Sequence, residues 1–140
     1  MHRGSVLDLQ NSVSHAMITL VMSDFLQDFS NVTIQFINLG GTIPFIFERM
    51  EYVTEVRTPN APRDLRERMR NVYVDSGSMG PRALELGVQL FGSDRIMLGT
   101  DYPFFPTSRS QEVVDEANLT DDQKTMIRKT TAETLLEKYQ

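Results

Sequence analysis

The stretch QFINLGGTIPF, residues 35–45, has the pattern of an apolar strand that ends on a polar residue and passes through a glycine turn into a helix. Pro44 suits the first turn of that helix, where its missing N–H removes no hydrogen bond. A second stretch, RIMLGTDYPFF (95–105), repeats the pattern and places Asp101 after its strand. Both stretches predict a polar side chain at the carboxyl end of a strand.

Outward from these stretches, short apolar strands alternate with amphipathic helices. Runs of β-branched and aromatic residues between turn signals predict the strands, and apolar residues at a 3.6-residue period predict the helices. Thr120 and Gln123 have the capping-box spacing that starts the last helix. The predicted strands are 31–38, 71–76 and 95–100. The predicted helices are 12–29, one from about 44 to a break at TPNAP (58–62), 62–70, 80–92, 110–117 and 121–139.

Strands separated by helices indicate βαβ units and a parallel sheet, hence the α/β class. Because such crossovers are right-handed, the carboxyl ends of all three strands lie at one edge of the sheet. That edge would carry Asn38, Asp75 with Ser76, and Asp101. We expect the side chains of Asn38 and Asp101 to approach each other there, where α/β folds build their sites.

Composition narrows the class of protein. The 140 residues suit one domain, which we assign to residues 1–140. The formal net charge of -5 argues against nucleic acid as a partner, and the absence of cysteine excludes disulfides and thiolate metal sites. No apolar run approaches the ~20 residues of a membrane span, and the first residues lack the apolar core of a signal peptide. We therefore expect a cytoplasmic protein with no nucleic-acid partner and no membrane partner.

Three parallel strands make an incomplete sheet, because parallel sheets are normally covered on both faces and often closed. Unpaired strand edges also invite association with other chains. The pattern leaves three possibilities open: a further strand near the N-terminus, completion of the sheet by another chain, or membership in something larger.

Three segments, in order, carry a resemblance to a known family: NLGGTIPFIFERM (38–50), VYVDSG (72–77) and DRIMLGTDYPF (94–104). They resemble the C-terminal part of the amidohydrolase-related metal-dependent enzymes, in the aminocarboxymuconate-semialdehyde decarboxylase-like branch. The closing TTAETLLEKY (130–139) is similar to the last helix of that family. The resemblance implies a (β/α)₈ TIM-type barrel, of which this chain would supply about the last three strands with their flanking helices.

The resemblance also implies a site. The family uses a divalent metal, most often zinc, to act as a hydrolase or carboxy-lyase on small carboxylic or aromatic acids. Asp101 matches a metal-ligating aspartate, and Phe104 matches an aromatic residue that packs on the substrate. Arg49 matches an arginine that reaches the substrate carboxylate of a neighbouring subunit, a role that suits the two-pronged guanidinium. The implied partners are a small-molecule carboxylate and either further copies of the chain or the missing barrel half.

Departures from the family pattern weigh against activity in the isolated chain. Asn38 stands at the position of the family's catalytic histidine, and asparagine cannot exchange a proton near neutral pH. The family's His-x-His ligand pair has no counterpart, since the histidines are His2 and His15 alone. A catalytic zinc ordinarily needs about three protein ligands. Two hypotheses follow: the C-terminal part of a metal enzyme, inactive alone, or a non-catalytic remnant that serves as a structural or dimerisation module. An unrelated small α/β binding module is a third.

Simpler interpretations stand beside these roles. Asp101 could be a turn aspartate that bonds nearby backbone, and Arg49 could be an ordinary surface residue. Asp75 is expected to be structural, a strand-end residue that caps the next loop. His15 is expected to be a partly exposed helical residue. Gly40-Gly41 are expected to serve the backbone, through positive φ and close approach.

Overall fold

The sheet of this chain has three strands in a computed structural model that describes residues 2–58, 60–61 and 64–139. The strands are β1 (Ile34–Phe36), β2 (Val72–Asp75) and β3 (Ile96–Met97), in the spatial order β1-β2-β3. Both neighbouring pairs run parallel. The predicted parallel sheet is therefore confirmed.

Each strand is shorter than its predicted range. Beyond β3, the Leu98 N–H donates to the Ile127 carbonyl at 2.8 Å, and the Gly99 N–H donates to the Ser76 hydroxyl at 3.3 Å. A helix and a side chain thus take the amides that a longer strand would offer to its neighbour. Pairing between β2 and β3 stops at Met97 for this reason.

Helices separate consecutive strands, as the alternation predicts. Turns of π type lie at Gly4–Asp8 and Met126–Thr130, and 3₁₀ turns lie at Asn38–Gly40 and Ser93–Arg95. One helix ends at Arg57, directly before TPNAP (58–62), as expected, although residues 59 and 62 of that segment lie outside the described residues. The α-helices are α1 (Leu9–Met22), α2 (Phe25–Asp28), α3 (Ile43–Arg57), α4 (Leu65–Arg68), α5 (Pro81–Phe91), α6 (Thr107–Glu116), α7 (Asp121–Thr125) and α8 (Thr131–Glu137).

The prediction of one helix over 12–29 was wrong, because the chain breaks between α1 and α2. Ser23 is extended, with ψ 164°. The guanidinium of Arg68 donates to the Ser23 carbonyl at 2.9 Å and to the Asp24 carboxylate at 3.1 Å. A long-range arginine therefore satisfies the end of α1, which no local pattern in the sequence indicates.

The predicted start of the last helix is confirmed. The Thr120 hydroxyl accepts from the Gln123 N–H at 3.3 Å, and the Gln123 side-chain oxygen accepts from the Thr120 N–H at 3.0 Å. This reciprocal pair satisfies two backbone donors at the start of α7. Helix α6 begins at Thr107, after Pro106, and so starts earlier than the predicted residue 110.

The two faces of the sheet are covered unequally. Val72 and Val74 are fully buried and belong to one apolar core that α1, α3, α5 and α6 also line. On the opposite face, Gln35 is exposed, while Tyr73 and Asp75 are half-buried. Side chains alternate between faces along a strand, so this second face is only partly covered. Within the described ranges, every helix is too short or too polar to span a lipid bilayer.

Candidate functional site

The loops at the carboxyl ends of the strands share an unusual backbone conformation. Asn38 and Leu39 after β1, Ser78 after β2 and Asp101 after β3 have φ of +54°, +55°, +52° and +54°. Left-handed backbone at a residue with a side chain costs roughly 1–3 kcal/mol when it is imposed by the surroundings. Each of the three loops therefore contains strain, at the edge of the sheet where the sequence predicts a site.

The Asp75 carboxylate holds two of these loops. Its Oδ1 accepts from the backbone N–H of Asn38 at 3.0 Å and from that of Gly77 at 2.9 Å, and its Oδ2 accepts from Gln35 Nε2 at 3.1 Å. Hydrogen bonds to a charged acceptor are among the strong ones in proteins. The expected structural role of Asp75 at the strand end is confirmed.

Asn38 joins the loop after β1 to the loop after β2. Its side chain is buried, and its Nδ2 donates to the Gly77 carbonyl at 3.1 Å and to the Ser78 hydroxyl at 2.6 Å. Asn38 thus has a structural role, since its side chain connects the two loops.

Asp101 differs from Asp75 in having no bound partner. Its backbone carbonyl accepts from the N–H groups of Phe104 and Phe105 at 2.9 and 3.3 Å, but its half-buried carboxylate makes no hydrogen bond or ion pair with any other described residue. The local side-chain bond in this turn comes from Thr100, whose hydroxyl accepts from the Tyr102 N–H at 3.3 Å. A role as a turn aspartate therefore does not account for the carboxylate. The peptide bond between Tyr102 and Pro103 is cis.

Gly77 is the common neighbour of the two candidate residues. Asn38 bonds its carbonyl, and a Cβ built on Gly77 would lie 3.8 Å from Cβ of Asp101. Both residues therefore lie at the carboxyl edge of the sheet, on either side of Gly77. Their side chains do not hydrogen-bond to each other within the described structure.

Close packing at this edge explains two further glycines. A Cβ on Gly99 would lie 2.7 Å from Asp75 Oδ1 and 2.7 Å from the Gly77 nitrogen. Gly41 has φ +71°, and a Cβ there would lie 2.5 Å from the Ser14 hydroxyl, which accepts from the Thr42 N–H. The expected backbone role of the Gly40-Gly41 pair is confirmed. Gly99, Gly77 and Ser14 were not singled out from the sequence, where a lone glycine or serine carries little signal.

Arg49 and Phe104 lie outside this network. Arg49 is exposed on α3 and makes no hydrogen bond or ion pair within the part of the chain that the structure describes. Phe104 is 83% exposed in the loop after β3, three residues beyond Asp101. Neither side chain has a role in the core of this chain, and their matched roles toward a substrate stay predictions.

The described residues do not assemble a metal site by themselves. Across 2–58, 60–61 and 64–139, no group of three or more His, Cys, Asp or Glu side chains is placed to hold one ion. His15 is exposed on α1, as expected, and His2 is exposed near the start of the chain. Asp101 is thus a candidate ligand whose companions would have to come from elsewhere.

Comparison with known proteins shows the family of this chain. An amidohydrolase family model matches residues 3–138. The 2-amino-3-carboxymuconate-6-semialdehyde decarboxylase of Dictyostelium discoideum is 31% identical over 93 residues, which are 64% of this chain and 26% of that protein. The chain therefore spans about a quarter of the length of this curated relative.

Solved structures also match most of this chain with only part of their own length. An IDCase from Metarhizium anisopliae superposes with a TM-score of 0.83 at 21% identity, over 99% of this chain and 43% of that one. A dihydroxybenzoic acid decarboxylase from Polaromonas sp. JS666, with bound manganese and the inhibitor 2-nitroresorcinol, gives a TM-score of 0.79 at 17% identity, over 91% of this chain and 40% of that one. At these identities the likeness shows the fold, and the expected portion of a TIM-type barrel is confirmed.

Proposed function

Because this chain belongs to the amidohydrolase family, we propose that it is the C-terminal part of a metal-dependent enzyme of that family. The complete enzyme would act as a carboxy-lyase or hydrolase on small carboxylic or aromatic acids. The chain would supply three strands of the barrel and the loops that carry Asn38 and Asp101. By itself it would be inactive.

The observation that carries this proposal is the Asp101 carboxylate. It lies half-buried at the carboxyl edge of the sheet, on a strained backbone, and no described residue binds it. The Asp75 carboxylate, one strand away, accepts from three donors. A carboxylate that is held in place yet free of partners is suited to binding a group that the chain does not itself contain.

That group would be a divalent metal, which when bound would polarise a substrate oxygen or activate a water. Zinc is the ion that the family pattern favours, and manganese is bound in the Polaromonas relative. One carboxylate is too few, since a catalytic zinc site usually has about three protein ligands. The further ligands would come from the barrel strands that this chain lacks.

Arg49 and Phe104 would act on the substrate. Arg49 is exposed and has no described partner, so its guanidinium is available to a carboxylate outside its own chain. We propose that Arg49 binds the carboxylate of a substrate held by a neighbouring subunit. The active form would then be a homo-oligomer. Phe104 would pack on the ring or the conjugated chain of the substrate. The Dictyostelium and Polaromonas relatives are named for acids that carry an amino group and hydroxyl groups, respectively.

Zinc calorimetry tests the proposal. The isolated chain should bind zinc weakly and show no decarboxylation. Adding the missing barrel strands, taken from the Dictyostelium relative and supplied in trans or as a fusion, should raise zinc affinity through Asp101. Asp101→Ala should abolish that gain, whereas Asp94→Ala, at an exposed aspartate before β3, should retain it. Asn38→His should not restore activity to the isolated chain, because the metal ligands would still be missing.

Submicromolar zinc binding by the isolated chain, lost in the Asp101→Ala variant, would contradict the proposal that the site is incomplete. A completed barrel that binds zinc equally well with and without Asp101 would contradict the assigned ligand.

A second candidate function is a non-catalytic remnant that acts as a structural or dimerisation module. Asn38 favours it, because a neutral amide at the histidine position cannot move a proton near neutral pH. Phe45 and Phe104, each 83% exposed, offer apolar surface for a second copy. Sedimentation would distinguish the two: a stable dimer of the isolated chain that gains no zinc affinity from the added barrel strands would support the remnant.

A further inference from the structure

The orientation of the Asn38 amide is fixed by its surroundings. The Gly77 carbonyl can only accept a hydrogen bond, so the atom that faces it at 3.1 Å has to be the amide nitrogen. The second proton of that nitrogen is directed to the Ser78 hydroxyl at 2.6 Å. Both donors of the amide are therefore used, and its oxygen points away from them.

The amide oxygen is unused and accessible. Among the described residues, the one enclosed side-chain oxygen or nitrogen without a partner is Oε1 of Gln10. Asn38 Oδ1 has no partner in this part of the chain either, so it is not enclosed, although the residue as a whole is only 4% exposed. Asn38 thus presents one acceptor atom, held in a fixed direction, on an otherwise buried side chain.

We propose that Asn38 determines ligand specificity by accepting a hydrogen bond from a donor group, a phenolic hydroxyl or an amino group, through its Oδ1. The proposal rests on the proposed location of the site, but not on a metal or on catalysis. It assigns Asn38 a function of its own in place of the proton transfer that a histidine would perform.

Electrostatics favours a donor over a carboxylate at this position. An amide oxygen carries a partial negative charge and no proton, so it attracts hydroxyl and amino hydrogens and repels anionic oxygens. Asp101, on the other side of Gly77, is likewise an acceptor when ionised. Because the amide is already locked by two bonds, little conformational freedom is lost when a ligand binds to it. One such bond is expected to strengthen binding about tenfold.

The experiment uses the full chain, labelled for NMR, and three small probes without added metal. Resorcinol has two hydroxyl donors, 1,3-dimethoxybenzene has the same ring without donors, and benzoate has a carboxylate without hydroxyl groups. Resorcinol should bind about tenfold more tightly than either of the others. In the unmutated chain, binding of resorcinol should move the ¹³Cγ resonance of Asn38 downfield, because its oxygen accepts the new bond.

Variants distinguish ligand recognition by Asn38 from its structural role in the loop. Asn38→Ala should reduce the affinity for resorcinol to that for dimethoxybenzene. Ser78→Ala removes one of the two hydrogen bonds that orient the Asn38 amide but keeps its oxygen. Its affinity for resorcinol should stay within about twofold of that of the unmutated chain. Asn71→Ala, at the same residue type before β2, is the matched control and should have no effect.

Several results would overturn the proposal. These are an absence of resorcinol binding, equal affinity for resorcinol and dimethoxybenzene, an unmoved Asn38 ¹³Cγ resonance, or an equal loss in the Ser78→Ala variant. The ¹³Cγ measurement needs no variant, so misfolding of Asn38→Ala would not prevent a decision. Failure of the zinc experiment with intact resorcinol recognition would count against the proposed enzyme function alone.

Discussion

The two ends of the sheet are stabilised in opposite ways. At the amino end, arginines bind backbone carbonyls: Arg68 binds Ser23 at 2.9 Å, and Arg95 binds Phe91 at 2.6 Å and Met69 at 3.2 Å. At the carboxyl end, the acidic Asp75 binds backbone N–H groups and keeps left-handed residues in place.

This difference separates stability from function. The arginines of the amino end satisfy carbonyls of residues that are not left-handed, so they add stability. At the carboxyl end, strained loops lower the stability of the fold and hold Asn38 and Asp101 in fixed positions. Strain of this kind persists only where the surroundings over-determine it, and it is concentrated at functional sites. Substitutions at the two ends should therefore have different consequences.

The largest effect is expected for Gly99→Ala at the carboxyl end. The added Cβ would lie 2.7 Å from the Gly77 nitrogen, a backbone atom that cannot rotate away, and 2.7 Å from Asp75 Oδ1. We expect a loss of about 3 kcal/mol in the free energy of unfolding, measured with urea. Gly4→Ala, where an added Cβ meets no atom within 4 Å, is the control. Equal midpoints for the two variants would show that the carboxyl end is not tightly packed.

An intermediate effect is expected for Asp75→Ala. The backbone N–H groups of Asn38 and Gly77 lose their acceptor. We expect the free energy of unfolding to fall by about 2 kcal/mol, and the amide hydrogens of both residues to exchange faster. Asp75→Asn keeps an acceptor oxygen and should lose about half as much. If the asparagine variant were as unstable as the alanine variant, the negative charge would matter more than the hydrogen-bond geometry.

The smallest effect is expected for Arg68→Lys at the amino end. The side chain is only 12% exposed and bonds Ser23, Asp24 and Asp64, which a lysine cannot match with a single ammonium. We expect a loss of about 1 kcal/mol. The NMR resonances of Asn38 and Asp101 should stay in place, because the perturbation is at the other end of the sheet. Arg70→Lys, at a residue 76% exposed, is the control and should be neutral. Shifted resonances at the site would mean that the two ends are coupled.

Local patterns were enough to predict part of the structure. The parallel sheet, the start of the last helix at Thr120 and the backbone role of Gly40-Gly41 each follow from residues that are close in sequence. The break after α1 and the short β3 do not, because Arg68 and Ile127, which cause them, are distant in the chain.

The features of the candidate site can also be divided into those that the sequence could predict and those that it could not. The position of Asp101 at a strand end was predictable, since it depends on the strand that precedes it. The bonds of Asn38 to Gly77 and Ser78 could not be predicted, because they join two loops about 40 residues apart. The proposed contact of Arg49 with a substrate would depend on a chain other than its own, and no property of the α3 sequence determines that.

The partly covered sheet has a consequence for handling the protein. Gln35 lies on its open face, and Val32 and Ile37 next to β1 are 43% and 47% exposed. β1 is also an outer strand of the sheet, and an exposed edge of this kind is a template for strand addition from other molecules. In a cell extract the same surface would be a substrate for chaperones and a starting point for aggregation. The further barrel strands proposed above would change solubility before they changed any chemistry.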